Sequence, residues 1–305
     1  MPEFEIIDAH VHTYPTREMG LRTKGDVGDG NDLGGTMEEL SEAMGEGAIS
    51  RSVVLCLHPY ADMREALLRR LPGGLSGHQQ AQAEAEVEET LQGRQARRNE
   101  WTCESAGRHQ GVIPFVAVDP SMPAEAICRE IEERVRNDGA KGLKLHASLN
   151  RFYPYDPRLN PAYDLAQERG LPIVFHGGNF TEGTAQYSRP KEFKDVARRF
   201  PKLTFVLAHL GQDSFDETRE IAVLYPQVHF DCSAIISSVG KPGGIGSDEI
   251  VSLIREIGVE RVQFGSDYPF FHPAWAAAAL LSLPLTADEK RLICADNARR
   301  TLRLD

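Results

Sequence analysis

Residues 4–12 read FEIIDAHVH, an apolar run whose last members include Asp8, His10 and His12. Seven later stretches repeat the plan: SVVLCLH (52–58), GVIPFVAVD (111–119), AKGLKLH (140–146), LPIVFH (171–176), LTFVLAH (203–209), VHFDCS (228–233) and RVQFGSD (261–267). Most stay apolar until their final residues, as parallel strands covered on both faces do. Helical segments separate them, among them PAEAICREIEERVRNDG (123–139), PAYDLAQERG (161–170), EFKDVARRFP (192–201) and SDEIVSLIREIG (247–258). Eight strands in β-α alternation predict a (β/α)8 TIM barrel of the α/β class, with an open doubly wound sheet as the alternative.

Two segments stand outside the repeat. Residues 60–110 exceed one crossover helix; a Gly-rich break (LPGGLSGH, 71–78) precedes a charged, alanine-rich stretch (79–101). The expectation is a helical insertion after strand two, acting as a solvent-facing helix, a lid or an oligomer contact. The tail LTADEKRLICADNARRTLRL (285–304) reads as a helix with a capping box, Thr286 facing Glu289. With no linker or repeat, residues 1–305 read as one barrel domain.

Acidic residues outnumber basic ones 45 to 34, a formal net charge of -11. A surface of that sign repels phosphate backbones and anionic lipid, so neither nucleic acid nor membrane is an expected partner, and no run is long enough for a membrane span. The cysteines (Cys56, Cys103, Cys128, Cys232, Cys294) are odd in number, scattered and without a C-x-x-C pair. They read as free thiols in a reducing compartment. Glu3 and Glu5 stand where a secretory signal would carry basic residues. The expectation is a cytoplasmic protein with a small-molecule substrate, able to form a homo-oligomer.

On a strand, residues i and i+2 share a side. His10 and His12 therefore send two imidazoles in one direction, about 7 Å apart at the backbone. His176, His209 and Asp267 close three later strands, and the C-terminal strand ends of a parallel barrel share one rim. Three imidazoles and a carboxylate suit zinc, with manganese, iron or cobalt also admissible. Asp267 can ligate, take a proton from bound water, or do both in turn. His209 is either a further ligand or, in its better role, a stabiliser of charge or a proton shuttle.

DAHVH (8–12), LPIVFHGG (171–178), FPKLTFVLAHLG (200–211), VQFGSDYPF (262–270) and ICADNARRTL (293–302) together resemble the amidohydrolase-related metal-dependent hydrolases. These are TIM-barrel members of the amidohydrolase superfamily that also include aminocarboxymuconate-semialdehyde decarboxylase. The resemblance spans nearly the whole chain. It implies His10, His12, His176 and Asp267 as ligands of one divalent metal, zinc or alternatively manganese, with His209 as the catalytic histidine beside it. On strand four, Lys144 and His146 share a face. Binuclear members carbamylate a lysine on this strand, but the resembled branch generally uses one metal. Lys144 is then read as an ion-pair partner inside the barrel, and His146 as a substrate contact.

Aromatic and basic residues crowd the loops after the strands: Tyr14, Arg17, Arg22 and Lys24, then Arg151, then Arg189 and Lys191, then Tyr268 and Phe270. Such walls suit a flat or unsaturated carboxylate, with Arg151 and Tyr268 as expected contacts. His58 ends strand two, with a pocket role and a structural role equally open. The first expectation for function is a metal-dependent hydrolase that turns a metal-activated water on a small, carboxylate-bearing carbonyl substrate. The alternative is a non-oxidative decarboxylase of an aromatic or unsaturated acid at the same site. A third reading is an inert metal-binding scaffold.

Overall fold

The computed structural model describes residues 3–178 and 183–304. Each predicted apolar run forms a strand: β1 (Ile6–Val11), β2 (Ile49–Leu55), β3 (Val112–Ala117), β4 (Gly142–Leu145), β5 (Ile173–Phe175), β6 (Phe205–Leu207), β7 (Val228–Asp231) and β8 (Val262–Gln263). They pair in parallel in sequence order. The chain just after β8 returns to β1: Ala9 N donates to Phe264 O (2.9 Å), Asp267 N to His10 O (2.8 Å) and His12 N to Tyr268 O (2.7 Å). This closes the ring expected from the alternation.

Neighbouring residues of one strand feed two separate apolar layers. Val174 packs with Ile7, Val53, Phe115 and Val206 inside the ring, where Ala298 and Leu302 of the tail join them. Ile173 and Phe175 pack outward with Phe193, Phe205 and Tyr163 under the helices. On β1 the ladder slips between Asp8 and Val11. That irregularity lets His10 and His12 reach the centre although Ile7 and Ala9, of the opposite parity, also lie in the inner layer.

The expected helices form at Ala124–Asn137, Asn160–Arg169, Lys194–Arg199 and Ser247–Ile257, and Thr286 caps the tail through its capping box with Glu289. The tail is not one uniform helix: a π-helical segment, Leu292–Asp296, separates Ala287–Arg291 from Asn297–Leu302. Between β2 and β3 lie Tyr60–Leu68 and the 31-residue helix Gly77–Gly107. The long helix is only partly solvent-facing, contrary to the sequence expectation. Its C-terminal half buries Gln95, Asn99, Thr102 and Cys103, and Asn99 exchanges hydrogen bonds with both the N–H and the C=O of Ala117 at the end of β3 (2.9 and 2.8 Å). This half is the crossover helix of the barrel itself, extended outward at its start. No described helix is long and apolar enough to cross a membrane.

Candidate metal centre

DAHVH is built to bring two lone pairs face to face. Asp8 is buried, and its Oδ1 accepts from Ser266 N (2.8 Å) and His10 N (3.2 Å), tying the ends of β1 and β8 together. Burial raises its pKa to about 7. His10 Nδ1 lies 2.9 Å from Asp231 Oδ2, and His12 Nδ1 lies 2.8 Å from the carbonyl of Leu55. A carboxylate and a carbonyl only accept, so each imidazole donates from Nδ1 and keeps its lone pair on Nε2. The two Nε2 atoms stand 3.2 Å apart, with Asp267 Oδ1 at 3.3 Å from that of His12 and 3.6 Å from that of His10.

Three acceptors converging in a buried place repel one another unless a cation lies among them. The ligand atoms of His10, His12 and Asp267 fall within 4.8 Å of one another, so the residues fit a divalent ion. Burial first, then the charge of Lys144, lowers the pKa of His10 to about 3, keeping the ring neutral as ligation requires. Burial lowers His12 as well. Burial alone would raise Asp267, but the bond with His12 and the neighbouring His209 and His10 hold it below the usual carboxylate range.

The other expected residues gather around this triad at different depths. His209 Nε2 lies 3.1 Å from His176 Nδ1, and its own Nδ1 meets Ser233 Oγ (2.9 Å) and Ser233 O (3.1 Å). His176 therefore joins the group through His209, and His146 stacks on His176 at 3.9 Å between ring centroids. Lys144 extends into the barrel centre, its Nζ 3.4 Å from His10 Nε2, and burial lowers its pKa to about 8 against the pull of Asp231 and Asp267. His209 and Asp267 adopt left-handed backbone conformations (φ 60 and 67), strain of the kind proteins hold at functional sites. Gly265 is required here: a Cβ at this position would sit 2.7 Å from that of His10 and 2.9 Å from that of Ser233.

Asp231 was missing from the sequence expectation, although it follows the apolar run of VHFDCS as Asp267 follows that of RVQFGSD. Besides His10, it accepts from His209 N (3.0 Å), Ser233 N (3.1 Å) and Ser233 Oγ. One carboxylate thus orients the first imidazole and the turn that carries His209. Replacing Asp231 with Asn is expected to weaken divalent-metal binding by about 10- to 100-fold, read as ion content against a graded chelator. Unchanged affinity would mean that His10 is oriented without it.

Two expected substrate contacts are engaged elsewhere. Arg151 pairs with Asp62 (2.5 Å) and Glu65 (3.5 Å). Tyr268 is fully buried and donates its hydroxyl to Thr36 O (2.9 Å). The cavity beside the triad is instead walled by Tyr14 and Phe270, by His58, and by the long helix through Arg94, Arg98 and Trp101; it encloses about 400 Å³. Phe270 belongs to both places, since its ring meets His12 edge-on at 6.3 Å.

The profile of the amidohydrolase family matches residues 7–304. The chain belongs to the amidohydrolase family. Among curated proteins none matches it. Solved structures of the same fold include a dihydroxybenzoic acid decarboxylase of Polaromonas with bound manganese and 2-nitroresorcinol (16% identical, TM-score 0.71, covering 100% of this chain and 98% of that one). A 2,6-dihydroxybenzoate decarboxylase from Rhizobium is 15% identical at a TM-score of 0.68, covering all of both chains. A 5-carboxyvanillate decarboxylase of Novosphingobium aromaticivorans, with manganese and 4-hydroxy-3-methoxy-5-nitrobenzoic acid, is 14% identical at 0.69, covering 99% of this chain and 97% of that one.

Proposed function

We propose that the protein is a metal-dependent, non-oxidative decarboxylase of an aromatic or conjugated acid. The observation that carries this reading is the triad of His10, His12 and Asp267 sharing Phe270 with an aromatic-walled cavity. The likeness to manganese-bearing decarboxylases supports it over the hydrolysis first expected from the sequence. His10, His12 and Asp267, with His176 as the fourth donor, would hold one divalent ion; their nitrogen and oxygen donors suit manganese and zinc alike.

The ion, when bound, supplies a positive anchor for substrate oxygens. The protein's own residues do the rest. Aromatic walls hold the ring flat while the carbon–carboxylate bond breaks and its electron pair stays on the carbon. A proton then takes the place of the departing CO2. Asp267 is the member of the triad with its side chain partly open, 14% exposed against 0% for His10 and 4% for His12, so it is the group that can exchange protons with solvent and deliver one. His209, fixed by Ser233, steadies the negative charge that develops.

The test incubates manganese-loaded and zinc-loaded protein with 2,6-dihydroxybenzoate and with 5-carboxyvanillate in D2O. The expected result is CO2 release with deuterium at the vacated ring carbon. Absence of CO2 from both acids, together with solvent 18O entering the organic product of an amide or lactone in labelled water, would overturn the lyase and establish the hydrolase.

A further inference from the structure

The strand that leads to Asp267 is the one with the least ladder of its own. β8 spans only Val262–Gln263 and pairs with β7. Alternate residues of a parallel strand turn their backbone groups toward the same neighbour. Gln263 O accepts from Cys232 N at the end of β7 (3.0 Å), and Phe264 O accepts from Ala9 N of β1 (2.9 Å). The carbonyl of Val262 and the N–H of Phe264 therefore face the β1 side, one step below Ala9. The C-terminal tail takes both. Phe264 N donates to Ile293 O (2.8 Å), and Val262 O accepts from the side-chain amide of Asn297 (2.6 Å).

The π-helical turn Leu292–Asp296 makes the first of these bonds available. Asn297 N reaches back five residues to Leu292 O. In an α-helix that N–H would bond the carbonyl four residues back, Ile293 O. Here the Ile293 carbonyl is released and meets Phe264 instead. The Asn297 side chain, 1% exposed, is used in full: Nδ2 also donates to Val259 O (2.8 Å), and Oδ1 accepts from Arg300 (3.0 Å). Ala295, Ala298 and Leu302 of the tail pack with Ile7 and Ala9 of β1, so the tail grips both sides of the joint.

Asp267 follows Phe264 by three residues, and those three are held closely. Gly265 abuts His10, Ser266 N donates to Asp8 (2.8 Å), and Asp267 N donates to His10 O (2.8 Å). A displacement of β8 is thus passed on to the carboxylate. The triad atoms stand 3.2 to 3.6 Å apart, and metal–ligand distances tolerate only about 0.2 Å. We propose that the tail is a positioning element of the metal site: Asn297 and the released carbonyl of Ile293 set the height of Asp267 against His10 and His12. Asn297 acts through β8. The inference rests on the triad as the metal site and is independent of the reaction performed there.

If a seated tail tightens manganese binding, bound manganese must hold the tail seated by the same factor. Hydrogen–deuterium exchange of the parent protein, with and without manganese, is read at 8–12 and 266–268 beside the triad and at 259–264 and 293–302 in the tail joint. Slowing by about tenfold is expected in both sets, with little change in Ala124–Asn137 across the barrel. Asn297→Asp keeps the shape of the side chain and removes its donor. It is expected to weaken manganese affinity about tenfold against a graded chelator. Ile131→Ala opens a cavity in the buried layer far from the joint; it should lower the urea midpoint without that loss of affinity. If Asn297→Asp fails to fold, the exposed Arg300→Met, which removes the guanidinium that holds Asn297 Oδ1, should move affinity the same way, and the exchange of the parent still decides. Slowing confined to the triad peptides, or parental affinity in Asn297→Asp, would overturn the tail's role and leave the metal site standing. A parent that binds no manganese would overturn both.

Discussion

His12→Ala protein is expected to emerge from purification with less than about a tenth of an equivalent of divalent ion, against about one for the parent. Turnover should fall by at least ~10³-fold. His12 Nε2 is the centre of the triad, 3.2 Å from His10 Nε2 and 3.3 Å from Asp267 Oδ1. Its removal takes the central donor from the triad and leaves His10, Asp267 and His176, a set that a competing chelator can outbid. Elemental analysis of parent and variant after equal exposure to manganese checks the first number, and CO2 release checks the second. Because the His12 ring donates only to the Leu55 carbonyl, the fold should persist, visible as an unchanged far-ultraviolet circular dichroism spectrum. A full equivalent of ion in the variant would place the metal elsewhere.

The second large effect is on stability. Phe175 is wholly buried between the barrel and its helices, with ring centroids of Phe193, Phe205 and Tyr163 at 5.1, 5.6 and 6.1 Å. Phe175→Ala removes a ring from a place that helices on one side and the sheet on the other prevent from collapsing. A loss of about 3–5 kcal/mol is expected, a large share of the ~5–15 kcal/mol that holds a typical domain folded. The measurement is the urea midpoint at constant slope. A midpoint unchanged from the parent would mean that the aromatic layer repacks to fill the space.

The strands were legible because parallel strands buried on both faces spell themselves out as apolar runs. The same logic exposed His10, His12, His176, His209 and Asp267, polar groups standing at the ends of such runs, and the structure gathers all five. Lys144 does lie inside the barrel, but its neighbour at 3.4 Å is the imidazole of His10, where the expectation was an ion pair.

Sequence reasoning failed where a residue's meaning depends on its partner. Arg151 looks like an anion contact until Asp62 and Glu65 are found on it. Arg98, within a stretch that reads as a solvated helix, carries no carboxylate partner among the described residues. Asn99 belongs to the same stretch, and its burial follows from pairing with both backbone groups of Ala117, a long-range match that spacing does not encode. Asp231 was visible as a strand-end carboxylate, but its hold on His10 emerges only when the seventh strand lies beside the eighth and the ring closes.

The seam that joins β1 to the chain after β8 also sets a timetable. A ribosome delivers His10 and His12 early and Asp231 and Asp267 late, so the newborn imidazoles have neither the carboxylate that orients His10 nor the one that completes the triad until most of the polypeptide has been made. Half-made chains can offer the cell's metal pool only a loose pair of rings. An ion held by this triad would load tightly only once the last staves of the barrel are in position, which would make metallation a late event in this protein's biogenesis.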